Sequence, residues 1–299
     1  MRPKGRPRVT PPRRPLLILT ADDFGASSRA NAAIARAHRE GVLAAASLMV
    51  TGAAAAEAVA LARECPQLRV GLHLVLVDGR SALDPARLPG LVDRGGRFPR
   101  SPLAAGVRYG LRPGVRAQLA AEIRGQFDRF AATGLALDHV NGHHHLHMHP
   151  AVWDVVAGEA ERRGATGVRL TRDDLRLALR WERRGLVVRA AHAAALAALA
   201  GRCRRRLAGP QLRCVGRVYG VLQVGELTEA YLLWLLEAMP LDDAEILFHP
   251  GAERGAMRDG GADLETQALT SPAVRAGIAA RGFRSGGYAD LDPADRLRR

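Results

Sequence analysis

The chain has 299 residues, is 47% hydrophobic and carries a formal charge of +14 at neutral pH, from 44 Lys and Arg against 30 Asp and Glu. Its apolar content supports a substantial buried core, which excludes a disordered or low-complexity chain. Cys65, Cys203 and Cys214 are odd in number and widely spaced, which excludes a disulfide framework or cysteine zinc site and points to a reducing, cytoplasmic compartment.

Residues 1–15 hold the basic steps Arg2-Pro3, Arg6-Pro7 and Pro11-Pro12 without apolar periodicity, and are expected to form a disordered arm. Arg13-Arg14 before Leu16-Leu17-Ile18-Leu19 has the look of an export signal, but the apolar run meets Asp22 and Asp23 almost at once. It reads instead as a first core strand, Leu16 to Thr20. Ser27-Ser28 then lead an Ala-rich helix to Glu40, closed by Gly41. Ala45 to Val50 is a second strand, Ala53 to Arg63 a helix and Val70 to Val77 a third strand. The rhythm resumes with helix Val115 to Thr133, strand Leu137 to Val140, helix Ala151 to Arg163 and strand Val168 to Leu170. It ends with helix Leu227 to Met239 and strand Glu245 to Phe248.

Alternating short apolar strands and amphipathic helices predict an α/β fold with a parallel sheet and outer helices. The polar residues choose between architectures. Asp22-Asp23, His73, the histidines after Val140 and His249 all sit at or near strand C-terminal ends. A barrel gathers all of these on one face, whereas a doubly wound sheet unites only those near its switch point. An irregular TIM-like (β/α) barrel over residues 16–292 is therefore expected, with a short tail at 293–299. No run of about twenty apolar residues free of charge occurs, so no transmembrane helix is expected.

The segment 175–212 breaks the rhythm. Ala190 to Ala200 is almost all Ala and Leu, with Arg180, Arg183, Arg184 and Arg189 before it and Arg202, Arg204, Arg205 and Arg206 after it. Two readings stand side by side: an interfacial element making peripheral contact with an anionic membrane, or a helix or hairpin packed on the barrel with solvated arginines. Nucleic acid is not expected as a partner, because 4% aromatic content offers few stacking platforms.

Six of the ten histidines, His139, His143, His144, His145, His147 and His149, fall within Asp138 to Pro150. Imidazole is a common metal ligand and the group that titrates near neutrality, so this density predicts the wall of a metal-dependent site. Divalent ions used in hydrolysis are held by mixed carboxylate and imidazole. Asp23, His73 and one histidine of the cluster supply such a set, with Asp22 as a second carboxylate able to take a proton from water.

The ordered motifs Thr20-Ala21-Asp22-Asp23-Phe24-Gly25, Val70-Gly71-Leu72-His73-Leu74, His143-His144-His145-Leu146-His147-Met148 and Phe248-His249-Pro250 resemble the YdjC/ChbG-like carbohydrate deacetylases from about Leu16 to Leu291. Ala46-Ser47-Leu48-Met49-Val50 and Arg217-Val218-Tyr219-Gly220 are most similar to the hopanoid-biosynthesis-associated branch. The resemblance implies metal-dependent removal of acetyl from an N-acetylglucosamine-bearing substrate, an N-acetylglucosaminyl hopanoid glycolipid in that branch. It implies Asp23, His73 and His143 as ligands of one divalent ion, Zn or Mg first, with Mn or Co as alternatives. It implies Asp22 as general base and His249 as the acid that protonates the leaving amine. His145, His147, Phe24 and Asn141 are expected at the substrate. Asn141 stands where related sequences often carry Asp, and loss of that carboxylate is expected to weaken metal binding or shift its preference. Three rival functions follow from other features: deacetylation of soluble chito-oligosaccharides, a metal phosphoesterase, and a basic polyanion- or membrane-binding module without catalysis.

Overall fold

The computed structural model describes residues 13–112, 114–207, 211–252 and 261–292. In chain order the elements are β1 (Leu16–Phe24), α1 (Ser28–Arg39), β2 (Ala45–Leu48), α2 (Ala55–Glu64), β3 (Arg69–Leu74), α3 (Pro102–Leu111), α4 (Val115–Ala132), β4 (His139–Gly142) and α5 (Trp153–Arg162). They continue as β5 (Gly167–Val168), α6 (Leu175–Trp181), α7 (Leu186–Arg205), β6 (Arg217–Tyr219), α8 (Glu229–Ala238), β7 (Ala244–Phe248), α9 (Gly261–Thr270), α10 (Pro272–Ala280) and β8 (Arg284–Ser285).

The strands form one eight-stranded sheet in the order β5-β4-β3-β2-β1-β7-β6, with β8 paired to β1, and every pairing is parallel. Its two edges approach each other: Val168 N–H donates to Arg213 O at 2.9 Å and Val218 N–H to Arg172 O at 3.0 Å. The sheet thus curls into the irregular parallel barrel that the sequence predicts. Leu16, Leu17 and Ile18 of β1 have no solvent exposure, as a strand covered on both faces requires. Helices seal the outside through spaced apolar side chains, as in α4, where Leu119, Ile123 and Phe127 recur every four residues and are buried.

Helix starts follow local chemistry. The Ser27 hydroxyl caps α1 by accepting from Ala30 N–H, Ser101 caps α3 ahead of Pro102, and Thr228 caps α8 through Tyr231 N–H. Several elements differ from expectation. The first strand runs past Thr20 through both aspartates to Phe24. Helices α3, α9 and α10 add to the elements expected from the sequence.

The segment 175–212 contains a helix pair. Asp174 caps the short α6, and Gly185 at φ 64° turns the chain into α7. By length and composition α7 is apolar enough to cross a membrane, yet it lies against the barrel through Leu196, Ala200 and Cys203. Of the expected arm, residues 1–12 lie outside the described residues, as does the tail 293–299. Its end is tied down: Arg13 pairs with Asp243, and Arg14 donates to Gly282 O and Phe283 O.

Candidate active site

A β-bulge in β1 makes the site possible. Ala21 pairs with Ala46 and Phe24 with Leu48, so β1 spends one more residue than β2 across this step, at Asp22 and Asp23. Asp23 takes φ 61°. Neighbouring strand residues normally point to opposite faces; the bulge sends both carboxylates toward the same end of the barrel. Asp23, Asp78, His144 and His145 are the positive-φ non-glycine residues among those described, and all four surround this spot. Backbone strain gathered at one place marks a site whose surroundings hold it against relaxation.

His73 Nε2 lies 3.2 Å and His143 Nδ1 lies 3.1 Å from the same oxygen, Asp23 Oδ1. The two imidazoles meet edge to face with ring centres 5.6 Å apart. Asp23 Oδ1 and His73 Nε2 are buried without a hydrogen-bond partner. Orphaned buried polar atoms are costly unless something absent from the protein satisfies them. Their spacing matches adjacent ligands of a small divalent ion, for which bond lengths of about 2.0–2.1 Å at right angles put donors about 3 Å apart. Asp23, His73 and His143 therefore fit such an ion. Burial raises the Asp23 pKa, but His143 and His73 outweigh it and hold the carboxyl well below its usual range.

The His73 imidazole has a support behind it. His73 Nδ1–H donates to Asn141 Oδ1 at 2.6 Å, which leaves Nε2 as the bare nitrogen facing Asp23. Asn141 Nδ2 donates to Asp22 Oδ1 at 3.1 Å and to Ser47 Oγ at 2.8 Å. Asn141 is fully buried and all its polar atoms are used, so it orders the site from behind and does not reach substrate as expected. The amide also donates to Asp22, which an ionised carboxylate in its place could not do.

Asp22 is 2% exposed and gripped by Arg169, whose Nη1 and Nη2 donate at 2.5 and 3.0 Å, with a further bond from Ser47 Oγ at 2.9 Å. Burial raises its pKa, but the guanidinium of Arg169, with His73 and His249, outweighs that and holds the carboxyl well below its ordinary range. Asp22 is ionised, as a base must be. Holding a proton costs it the pairing with Arg169, so any proton it takes is released readily.

Arg169 is fully buried and also clamps Glu245 at 2.7 Å, and Glu245 accepts from Tyr288 Oη at 2.6 Å. Tyr288 stacks on His139 at 5.2 Å, and its N–H donates to Asp138 at 3.0 Å. His139 joins Asp138 at 3.0 Å to Ser47 at 2.9 Å, which returns the chain to Asp22. A closed ring of buried polar groups thus forms the floor beneath Asp22. This ring was not among the features expected from the sequence. Its signal was Arg169 and Glu245 standing inside apolar strand segments, where a lone charge needs a partner.

His249 lies at the end of β7, within electrostatic reach of Asp22, Asp23, His73 and His143. Its Nδ1 is buried without a partner, and Glu265 on α9 accepts from its backbone N–H at 2.5 Å. Burial lowers its pKa, with Asp23 and Asp22 opposing. His145 is partly exposed, and its Nδ1 meets Thr171 Oγ1 at 3.2 Å. Two other expected substrate contacts are corrected. Phe24 is fully buried in the core. His147 is also fully buried, its Nε2–H donating to Arg169 O at 2.8 Å, and burial pushes its pKa down to about 3, so it pins the Arg169 backbone as a neutral imidazole.

With this geometry in place, comparison with known proteins is informative. Residues 16–280 match the YdjC-like protein family. A carbohydrate deacetylase from Brevibacillus brevis is 43% identical over 145 residues, which is 48% of this chain and 55% of that protein, so the match spans about half the relative's length. A chitooligosaccharide deacetylase from Enterobacter sp. strain 638 is 33% identical over 286 residues, covering 92% of this chain and 99% of the relative. Among solved structures, an Enterococcus faecalis protein named for cellobiose-phosphate cleavage superposes with TM-score 0.73 at 20% identity, covering 92% of this chain and 98% of its own, a likeness of fold.

Proposed function

The chain belongs to the YdjC-like family, and from that premise we propose that it is a metal-dependent carbohydrate N-deacetylase that hydrolyses an N-acetyl group to acetate and a free amine. One observation carries this reading: Asp23, His73 and His143 converge, with Asp23 Oδ1 and His73 Nε2 buried and unpartnered, beside an ionised Asp22 and a buried His249. A divalent ion held by that triad, Zn or Mg first, supplies Lewis acidity toward the acetamide carbonyl. The protein's own groups do the rest. Asp22 takes the proton from the attacking water, and Arg169, Ser47 and Asn141 keep its carboxylate aimed. His249 gives a proton to the departing nitrogen, so the C–N bond breaks with an amine as leaving group. His145 borders the sugar.

The substrate proposed is an N-acetylglucosaminyl hopanoid glycolipid, processed by a cytoplasmic enzyme in peripheral contact with the membrane through residues 175–212. The motifs shared with that branch and the exposed arginines around α6 and α7 support it. The second reading, a soluble chito-oligosaccharide, is favoured by the near full-length likeness to the Enterobacter chitooligosaccharide deacetylase. Acetate release from N-acetylglucosaminyl hopanoid and from diacetylchitobiose, with and without chelator, tests both. Chelator-sensitive release from the hopanoid alone is expected. Release from the disaccharide alone retains the chemistry and rejects the lipid, and silence on both rejects the deacetylase.

A further inference from the structure

Three helices, α3, α5 and α7, pack on the His143–Met148 turn, and two of them, α3 and α7, leave large apolar side chains in water. Helix α3 approaches through Gly106 and Gly110, which face the His149 ring, and through Tyr109, edge-on to it at 6.3 Å. On the side of α3 away from the buried Ala105 and Tyr109, Leu103, Val107 and Leu111 are 78%, 51% and 77% exposed. A spacing of four residues makes these one stripe along the helix. Helix α7 reaches the same turn through Cys203, whose thiol donates to Met148 O at 3.5 Å, and its His192 lies within electrostatic reach of His145. Its first turn exposes Leu186, Val187 and Val188 by 50%, 79% and 74%, and no charged residue occurs between Arg189 and Arg202. A surface helix of a water-borne protein normally turns a polar face outward, and paired apolar patches beside a site mark a contact surface.

We infer that α3 and the first half of α7 together form a two-part docking surface for an anionic phospholipid bilayer, which sets the His143–Met148 end of the barrel against the membrane. Charge chooses this occupant. Arg176, Arg180, Arg183 and Arg184 are exposed around the α6–α7 corner, with Trp181 39% exposed among them. The nearby carboxylates are few and engaged: Asp173 accepts from Val221 and Leu222 N–H, Asp174 caps α6, and Glu182 pairs with Arg184 at 3.9 Å, which leaves Arg176, Arg180 and Arg183 as the corner's excess positive charge. A cationic corner beside apolar residues, with an indole between them, suits phosphate head groups above acyl chains. A second copy of the chain is disfavoured, because a two-fold contact through this corner sets arginine against arginine. The inference rests on the lipid-borne substrate for its purpose: a sugar whose lipid stays in the bilayer is presented where the site lies.

Co-sedimentation of the full chain with phosphatidylglycerol-containing and pure phosphatidylcholine vesicles tests it, alongside turnover of diacetylchitobiose and light scattering. Binding to the anionic vesicles alone is expected, weakening with salt. Leu103→Ser/Val107→Ser/Leu111→Ser and, separately, Val187→Ser/Val188→Ser should each reduce partitioning at least about tenfold. Arg180→Gln/Arg183→Gln should cost about fivefold per arginine. Circular dichroism controls for folding, and none of these residues lies in the catalytic machinery, so disaccharide turnover should not change. Equal partitioning of the α3 variant and the parent overturns the inference. So does a parent that ignores vesicles but forms a dimer that the α3 or α7 variants split. Vesicle binding without any deacetylation leaves the docking surface standing and removes the proposed activity.

Discussion

The floor of the site and its rim are built on opposite terms. Under Asp22, every polar atom of Asn141 and both oxygens of Asp22 are committed to neighbours, and Arg169, Glu245, His139 and Asn141 have no exposure at all. Around the opening, α7 buries only Leu196, Ala200 and Cys203 of its twenty residues and exposes valines. A chain that places its charges in the dry interior and its valines in water has spent stability on positioning chemistry and kept its surface for a partner. The floor should therefore be intolerant of any change, and the rim indifferent to changes that affect only folding.

The largest effect expected is at the head of the floor. Asp22→Asn keeps the volume and the contact with Ser47, and leaves Asp23, His73 and His143 in place, so metal content measured by mass spectrometry should be unchanged. Turnover should nonetheless fall about 100- to 10,000-fold, the usual cost of losing a general base. Near-normal turnover would remove Asp22 from the mechanism. Arg169→Met comes next. It strips the guanidinium from Asp22 and Glu245 at once, leaving two unpaired buried carboxylates, and should destabilise by roughly 3–5 kcal/mol in urea unfolding. A loss below 1 kcal/mol would show that the floor is less coupled than its geometry.

Asn141 sharpens the comparison, because here expectation and structure diverge. From the sequence, the amide looked like a weakened support for a histidine ligand. In the fold it accepts from His73 and donates to Asp22 and Ser47, a combination no ionised aspartate can supply. Asn141→Asp should set like charges against each other and reduce kcat about 10- to 100-fold, with His73 still supported. Improved activity or metal affinity in that variant would show that a carboxylate serves the site better than the amide.

What the sequence made legible follows from the range of each interaction. Strand and helix periodicity is local, so the parallel barrel and the strand ends bearing Asp22, Asp23, His73, His143 and His249 could be read in order. The bulge at Asp22–Asp23 is set by pairing with β2, and the ring from Arg169 through Glu245, Tyr288, Asp138 and His139 back to Ser47 joins residues up to 150 positions apart. No window along the chain contains that information. His147 and Phe24 were misplaced for the same reason: a motif gives a residue's neighbours in sequence, while which side of the turn faces solvent depends on Arg169 O and the core.

The pH dependence of stability divides the regions by sign. Burial alone would raise the pKa values of Asp22 and Asp138, yet Arg169 and His139 hold both carboxyls below their ordinary range. A depressed folded-state value means a contribution present above about pH 4, where the unfolded carboxyl ionises, and lost as pH falls further. The urea midpoint should thus drop on acidification below about pH 4. That acid limb should shrink in Asp138→Asn, which removes one of the two groups, and persist unchanged in Val187→Ser/Val188→Ser.

The smallest effect is the one that completes the contrast. Val187 and Val188 are 79% and 74% exposed and are not part of the buried core, so replacing both with Ser removes little that folding had buried. Their unfolding free energy should stay within about 0.5 kcal/mol of the parent, the ordinary range for surface substitutions. A loss of 2 kcal/mol or more would mean that these side chains are covered in solution, by the chain itself or by a second copy. The rim would then be part of the folded core. Unchanged stability together with lost vesicle binding would instead assign the two valines to a surface that acts only when a partner arrives, the counterpart of a floor that is complete before substrate does.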